Sequence, residues 1–279
     1  MPAMPIKTIE TKLGPLKYDD QGQSGQPVAI LWPSLFSDHT MWSAQIPALR
    51  AAGWRTLALD PPGHGLSPGP DRIFTMEECT DVGVQMLQLV DEGVPAIMLG
   101  TSWGGMIAPR MARRCPGRLS GLILFNTTAD SPDFRTRMTS RLLTVLLAIR
   151  PLDRVVDNLL LSLQLCERTR TSKPQIGKAL AAGFRSFQRR ALILAVDSVL
   201  VRRDSFYDHL TEVETPTLVV SGAQDTILPT AMSRRIAQRM PHARQVEVDG
   251  AAHLVPLEQP DVANRLILEF VKDLNGGRG

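Results

Sequence analysis

Between Val94 and Arg114 the chain runs from a short apolar stretch through Leu99-Gly100-Thr101-Ser102-Trp103-Gly104-Gly105 into residues with helical spacing. A serine with glycines two positions away on both sides, where a strand gives way to a helix, reads as a turn that holds the serine at positive φ. Such a conformation is costly for a residue with a Cβ and persists only where its surroundings enforce it. Gly100 and Gly104 remove the side chains that would collide at the bend. The serine hydroxyl is then presented above a strand end, with helix-start N–H groups aimed at whatever approaches it. Ser102 is therefore a candidate nucleophile.

Strand-like and helix-like segments alternate around this motif. Residues 6–10 and 16–19 read as an antiparallel pair about Gly14-Pro15, residues 28–32 and 55–59 as buried strands, and residues 42–52 as a helix between them. Thr75, followed by Glu77 and Glu78, opens a helix to about residue 90, and residues 119–125 form the strand after the serine motif. This rhythm predicts an α/β fold with a mostly parallel central sheet covered by helices on both faces. From 130 to 212 only helical stretches occur, divided by Pro151, Pro174 and Gly183, and alternation resumes at 217–221. The expected organisation is a core over 1–129 and 213–279, with a helical lid inserted at 130–212, over the strand ends where open α/β sheets bind ligands.

A chain of 279 residues, 43% hydrophobic and 21% charged, is of ordinary globular composition. Its net charge of +3 is too small to indicate nucleic-acid binding, and no nucleic-acid partner is expected. Cys79, Cys115 and Cys166 are far apart and lack metal-ligand spacing, so they read as free thiols of a reducing, cytoplasmic compartment. The opening residues lack the basic-then-apolar order of a secretory leader. The most apolar stretch, 142–165, is broken by Arg150, Pro151, Asp153, Arg154 and Asp157 and cannot span a membrane; no membrane partner, metal or cofactor is expected.

A serine hydroxyl needs a base within hydrogen-bond reach. His253, in the small-residue loop Gly250-Ala251-Ala252-His253, is the best-placed histidine, and Asp225 follows another strand end. Asp130 is an alternative acid. Two backbone donors for a developing oxyanion are expected from Trp103, the residue after the nucleophile, and from Leu35 in Pro33-Ser34-Leu35-Phe36. Ser34 is the alternative to Leu35, and Pro33 has no N–H to give. Phe36, Trp103 and Leu254 are the candidate substrate contacts. His64 and Asp60, in Asp60-Pro-Pro-Gly-His64-Gly-Leu-Ser67, read as turn-stabilising residues.

With these landmarks the chain resembles the α/β-hydrolase superfamily over nearly its whole length. The order Ser102, Asp225, His253 is the order of that superfamily's catalytic triad. Within it, the chain is most similar to the 3-oxoadipate enol-lactonase and carboxylesterase branch, through Pro33-Ser34-Leu35 followed by Trp42, Ser102-Trp-Gly-Gly-Met-Ile107 and Phe125-Asn-Thr-Thr-Ala129. It departs from that branch at Pro33, Phe36 and Trp103, where Asn, Gly and Met are usual. The resemblance implies a cofactor-independent serine hydrolase that acts on small carboxylic esters or lactones. A carbon–carbon bond hydrolase of ring-cleavage diketones and a slow ligand receptor on the same fold are the alternatives. In the lid, Leu142, Leu146, Leu159 and Leu163 are expected to face inward against an apolar group, and most of its many arginines to lie on solvated outer faces, the alternative being that one or two point inward and hold a substrate carboxylate.

Overall fold

The computed structural model describes residues 6–276. The opening residues 1–5 lie outside it. Among the described residues, β1 (Ile6–Thr11), β2 (Gly14–Gln21), β3 (Val28–Trp32), β4 (Arg55–Leu59), β5 (Ala96–Thr101), β6 (Gly121–Phe125), β7 (Thr217–Gly222) and β8 (Ala243–Val248) form one sheet. Its order is β1-β2-β4-β3-β5-β6-β7-β8, with β1 and β2 antiparallel to their neighbours and the rest parallel. Every residue of β3, β5, β6 and β7 is buried, as expected of parallel strands covered on both faces.

The period-two alternation of these strands feeds two cores. Ile30, Trp32, Met98 and Leu124 pack on one face, with α2 (Met76–Leu87) and α3 (Trp103–Arg114). Leu31, Ile97, Leu99 and Phe125 pack on the other, with α1 (Gln45–Ala51). The helix expected over 42–52 is split into a single turn at His39–Trp42 and α1. Pro47 explains the break: a helix running through from 42 would need its missing N–H, whereas in the first turn of α1 no such bond is required. The helix after Thr75 begins as expected, with a capping box in which Thr75 and Glu78 satisfy each other's backbone N–H.

Between β6 and β7 come five α-helices: α4 (Phe134–Ala148), α5 (Asp153–Gln164), α6 (Glu167–Ser172), α7 (Pro174–Ser186) and α8 (Arg189–Val196), with shorter 3-10 and π turns between and after them. After β7 follow α9 (Thr230–Arg239), α10 (Val255–Glu258) and α11 (Pro260–Gly276). The sequence places Leu142, Leu146, Leu159 and Leu163 on an inner face; the structure corrects this. Leu142, Leu159 and Leu163 are exposed and Leu146 is half-buried, while α4 buries Ser140 and Leu147, and α5 buries Val156 and Leu160. Both helices are apolar on two sides, so helical periodicity alone could not say which side meets the core.

The insertion is bonded to the loop that carries His253. His253 N–H donates to Gln164 O at the end of α5 (3.1 Å), and Cys166 N–H donates to Glu258 Oε2 (2.7 Å). Glu258 Oε1 accepts the Ala252 N–H (2.7 Å), so one fully buried carboxylate ties the insertion, the loop and α10 together. A second tie joins the loops after β3 and β4. Phe36 N–H donates to His64 Nε2 (3.0 Å), which leaves Nδ1 as the protonated nitrogen, and that donates to Pro62 O (3.0 Å).

Two outcomes follow from these ties. Glu258→Ala removes the acceptor of three buried N–H groups, those of Cys166, Ala252 and Leu254, and should cost about 2–4 kcal/mol of stability, read as a lowered urea midpoint with an unchanged m-value. Complete burial pushes His64 from its ordinary 6.5 down to about 4. As pH falls from 6.5 toward 4, the unfolded chain takes up a proton that the folded chain refuses, so stability declines through that window, by about 3 kcal/mol in full. Urea midpoints measured downward from neutral pH should show this loss, and His64→Gln should lack it.

Candidate active site

The chain runs from β3 outward to β4 and then crosses back to β5, so β3 and β5 flank the point where strand order reverses, the usual ligand crevice of such sheets. Trp32, the last residue of β3, pairs with Gly100 of β5. Ser102 follows β5 directly, at φ 51° and ψ −105°. Its N–H donates to Phe125 O (2.8 Å), and its carbonyl accepts from Thr127 Oγ1 (2.7 Å) and Met106 N–H (3.1 Å). The glycines are required by contact as well as by the bend. A Cβ on Gly104 would lie 2.2 Å from Trp32 O, and one on Gly100 would lie 2.2 Å from the Gly104 carbonyl carbon.

Two strands away, at the end of β7, Asp225 faces His253, and Asp225 Oδ2 lies 2.8 Å from His253 Nδ1. Both side chains are buried. Asp225 Oδ1 accepts the Ile227 and Leu228 N–H groups (2.9 and 3.0 Å), and Oδ2 also accepts from Asn126 Nδ2 (2.9 Å). Burial alone raises the Asp225 carboxyl. The facing His253 ring, its hydrogen bond and those from Leu228 and Asn126 outweigh that, and hold it below the usual carboxylate value. Asp225 is thus an acceptor throughout, and His253 Nδ1 carries the proton. Asp130 is turned elsewhere, paired with Arg235 (3.1 and 3.2 Å). Among the described residues no hydrogen bond joins Ser102 Oγ to His253, and His253 Nε2 has no partner.

Asn126 is the residue that sequence reasoning passed over. It stands at φ 46° just after β6, between the Ser102 and Asp225 strand ends, and donates to both Asp225 and Ala252 O (2.9 Å). The signal was the Phe125-Asn-Thr-Thr-Ala129 segment, which was recognised without a role for its asparagine. Glu258 gave no signal, because its work is done on backbone N–H groups far away in sequence.

In the loop after β3, Phe36 N–H is taken by His64 and Ser37 N–H by Ser34 O (3.1 Å). The N–H groups of Leu35 and Trp103 have no acceptor among the described residues. Phe36 sits at φ 68°, and its ring meets Phe184 of α7 edge-on (5.9 Å), while Phe187 packs on His64 (5.0 Å). Trp103 and Leu254 do not fit their expected role as substrate walls. Trp103 is fully buried among Trp32, Phe74 and His64, and Leu254 is fully buried in the opposite core. Trp42 packs on Phe125 in the core opposite Trp103.

Four arginines of the insertion are held by partners of their own. Arg185 pairs with Asp157, Arg189 with Asp153 and Arg202 with Asp197. Buried Arg203 donates to the Asp130 and Val199 carbonyls (both 3.0 Å). The three-residue group Asp38, His39 and Asp60 could present ligand atoms to a metal, but His39 Nδ1 and Asp60 Oδ1 are bonded to each other (2.7 Å), and Asp38 accepts from Thr40 (2.9 Å).

Comparison with known proteins agrees with this geometry. The sequence profile described as "Alpha/beta hydrolase family" matches residues 29–266. A pimeloyl-[acyl-carrier protein] methyl ester esterase from Aromatoleum aromaticum is 28% identical over 83% of this chain and 93% of its own. The 3-oxoadipate enol-lactonase 2 of Acinetobacter baylyi is 24% identical over 99% of this chain and 100% of its own. The solved structure of a thermophilic esterase from Thermogutta terrifontis superposes with a TM-score of 0.83 at 25% identity, covering 97% of this chain and 99% of that one. A profile match across both halves of the sheet, on a strand order that brings a strained serine to the crevice, makes this chain a member of the α/β-hydrolase family.

Proposed function

We propose that this hydrolase cleaves small carboxylic esters or lactones through an acyl-enzyme on Ser102. The observation that carries the reading is the buried Asp225–His253 pair, held by Asn126 directly after the Phe125 carbonyl that takes the N–H of strained Ser102, with His253 Nε2 left unpartnered. His253 Nε2 takes the Ser102 proton as Oγ attacks the carbonyl carbon. The tetrahedral oxyanion is stabilised by the N–H groups of Leu35 and Trp103, donors that nothing else in the loop uses. His253 then gives the proton to the leaving alcohol, and water repeats the sequence to release the acid. For a lactone the alcohol and acid are two ends of one product. Asp225 holds the imidazole in the tautomer this needs, and Asn126 holds Asp225.

The helical segment 130–212 acts as the lid of this site, and 1–129 with 213–279 forms the catalytic core. Phe184 and Phe187 support this, since they lie against Phe36 and His64 at the oxyanion loop. Phe36 then forms the acyl wall. A neutral acyl group suits it, because Arg185, Arg189 and Arg203 of the insertion are held by acids and carbonyls of their own.

Ser102→Ala should lower kcat on p-nitrophenyl acetate by about 10⁴-fold or more, with thermal stability little changed. A serine-directed phosphonate should label Ser102 alone; labelling at another residue, or near-wild-type turnover in Ser102→Ala, would remove the assignment. Asn126→Ala should reduce kcat by roughly tenfold with little change in KM, as loss of one hydrogen bond to a charged group implies. A graded panel of p-nitrophenyl esters and lactones separates acyl-length preference from ring preference.

A further inference from the structure

The insertion presents to solvent a surface that its packing does not explain. Helix α4 exposes Phe134 (80%), Met138 (47%), Leu142 (58%), Val145 (56%) and Ile149 (42%). These positions recur every three or four residues and form one stripe along the helix, away from buried Ser140 and Leu147. Helix α5, which packs against α4, exposes Val155, Leu159 and Leu163 at the same spacing. Soluble surfaces scatter single apolar residues, whereas an ordered stripe of this length marks something that covers it.

The charge around the stripe identifies the cover. Between Asp133 and Asp153 there is no acidic residue, and the charged side chains are Arg135, Arg137, Arg141 and Arg150, all exposed. Arg135, Arg141, Arg150 and Arg154 form no ion pair among the described residues. From 133 to 190 the chain carries twelve Lys and Arg against four Asp and Glu, whereas the whole chain has a net charge of only +3. The insertion is thus strongly cationic, on a remainder that is net acidic.

We infer that α4 and α5 form a peripheral docking face for an anionic lipid bilayer, with the apolar stripe entering the headgroup–acyl boundary and the arginines meeting lipid phosphates. A helix with an apolar stripe, a basic flank and 15 residues is too short to cross a bilayer and suited to lie in its surface. No described helix is long and apolar enough to cross a membrane, so the face rests on the bilayer. This departs from the sequence expectation of no membrane partner. A second copy of the chain fits less well, because an isologous contact sets the same unpaired arginines against each other. A nucleic acid would use the arginines and leave the apolar stripe uncovered.

Vesicle co-sedimentation of the full chain tests this and reads partition alone, so its result is independent of the role of Ser102. Vesicles of phosphatidylcholine mixed with phosphatidylglycerol should bind the protein, vesicles of phosphatidylcholine alone should bind it far less, and added salt should weaken binding. Phe134→Ser with Leu142→Ser should abolish partition. Separately, Arg135→Gln and Arg141→Gln should weaken it by about fivefold each. All four positions are exposed, and circular dichroism checks that the variants stay folded. Absence of binding to the anionic vesicles, equal binding to both vesicle types, or partition unaffected by the serine variants would overturn the inference. So would sedimentation of a dimer that the serine variants dissolve, or binding of duplex DNA in place of vesicles.

Discussion

Ser102 stands at φ 51° because the chain must leave β5 and enter α3 within one residue, and the neighbouring strand ends are arranged around that bend. The close approach of Gly104 to Trp32 O sets α3 against β3 and brings the loop after β3 beside the serine. Phe125 O at the end of β6 takes the serine N–H, which places Asn126 next in line. Asn126 in turn reaches Asp225 and the His253 loop. Three of the described non-glycine residues have positive φ, and all three lie at this rim: Phe36, Ser102 and Asn126. Strain of this kind, about 1–3 kcal/mol for each residue, survives only where several contacts over-determine it.

Much of this was legible in the sequence, for identifiable reasons. The parallel strands are apolar runs bounded by turn residues, and the serine turn announces itself by its glycines. Asp225 and His253 follow strand ends, and the His64 turn is marked by its own glycines and prolines. Less was legible where a residue acts on backbone groups distant in the chain. Glu258 lies in a short helix, and nothing local distinguishes it from a surface glutamate. Asn126 carries no local mark of its role, because its partners come from the loops after β7 and β8. Trp103 was misread for a related reason: an aromatic ring beside a nucleophile resembles a pocket wall until Trp32, Phe74 and His64 are seen to enclose it.

The insertion shows the limit of periodicity most clearly. The apolar residues of α4 and α5 are regular enough to establish helices, and the leucines invite an inward reading. The burial of Leu147, Val156 and Leu160 settles the orientation instead, and leaves two stripes facing out. Regularity gives the helix, whereas only contact with a partner gives its orientation. The same two-sidedness that misled the sequence reading is what makes the outer surface of the insertion chemically distinct from the rest of the molecule.

Two of the insertion's attachments differ in kind. At the His253 loop it is held by directional hydrogen bonds through Gln164, Cys166 and Glu258. At the loops after β3 and β4 it is held by ring contacts between Phe184 and Phe36, and between Phe187 and His64. Rings can slide past one another with little change in energy, whereas a buried N–H that loses its acceptor has nowhere to turn. Parting the rings of the insertion from Phe36 and His64 therefore costs less than parting its backbone from the His253 loop. On the proposed mechanism the entrance is handed: a reactant would come in past the phenylalanines while His253 keeps its place.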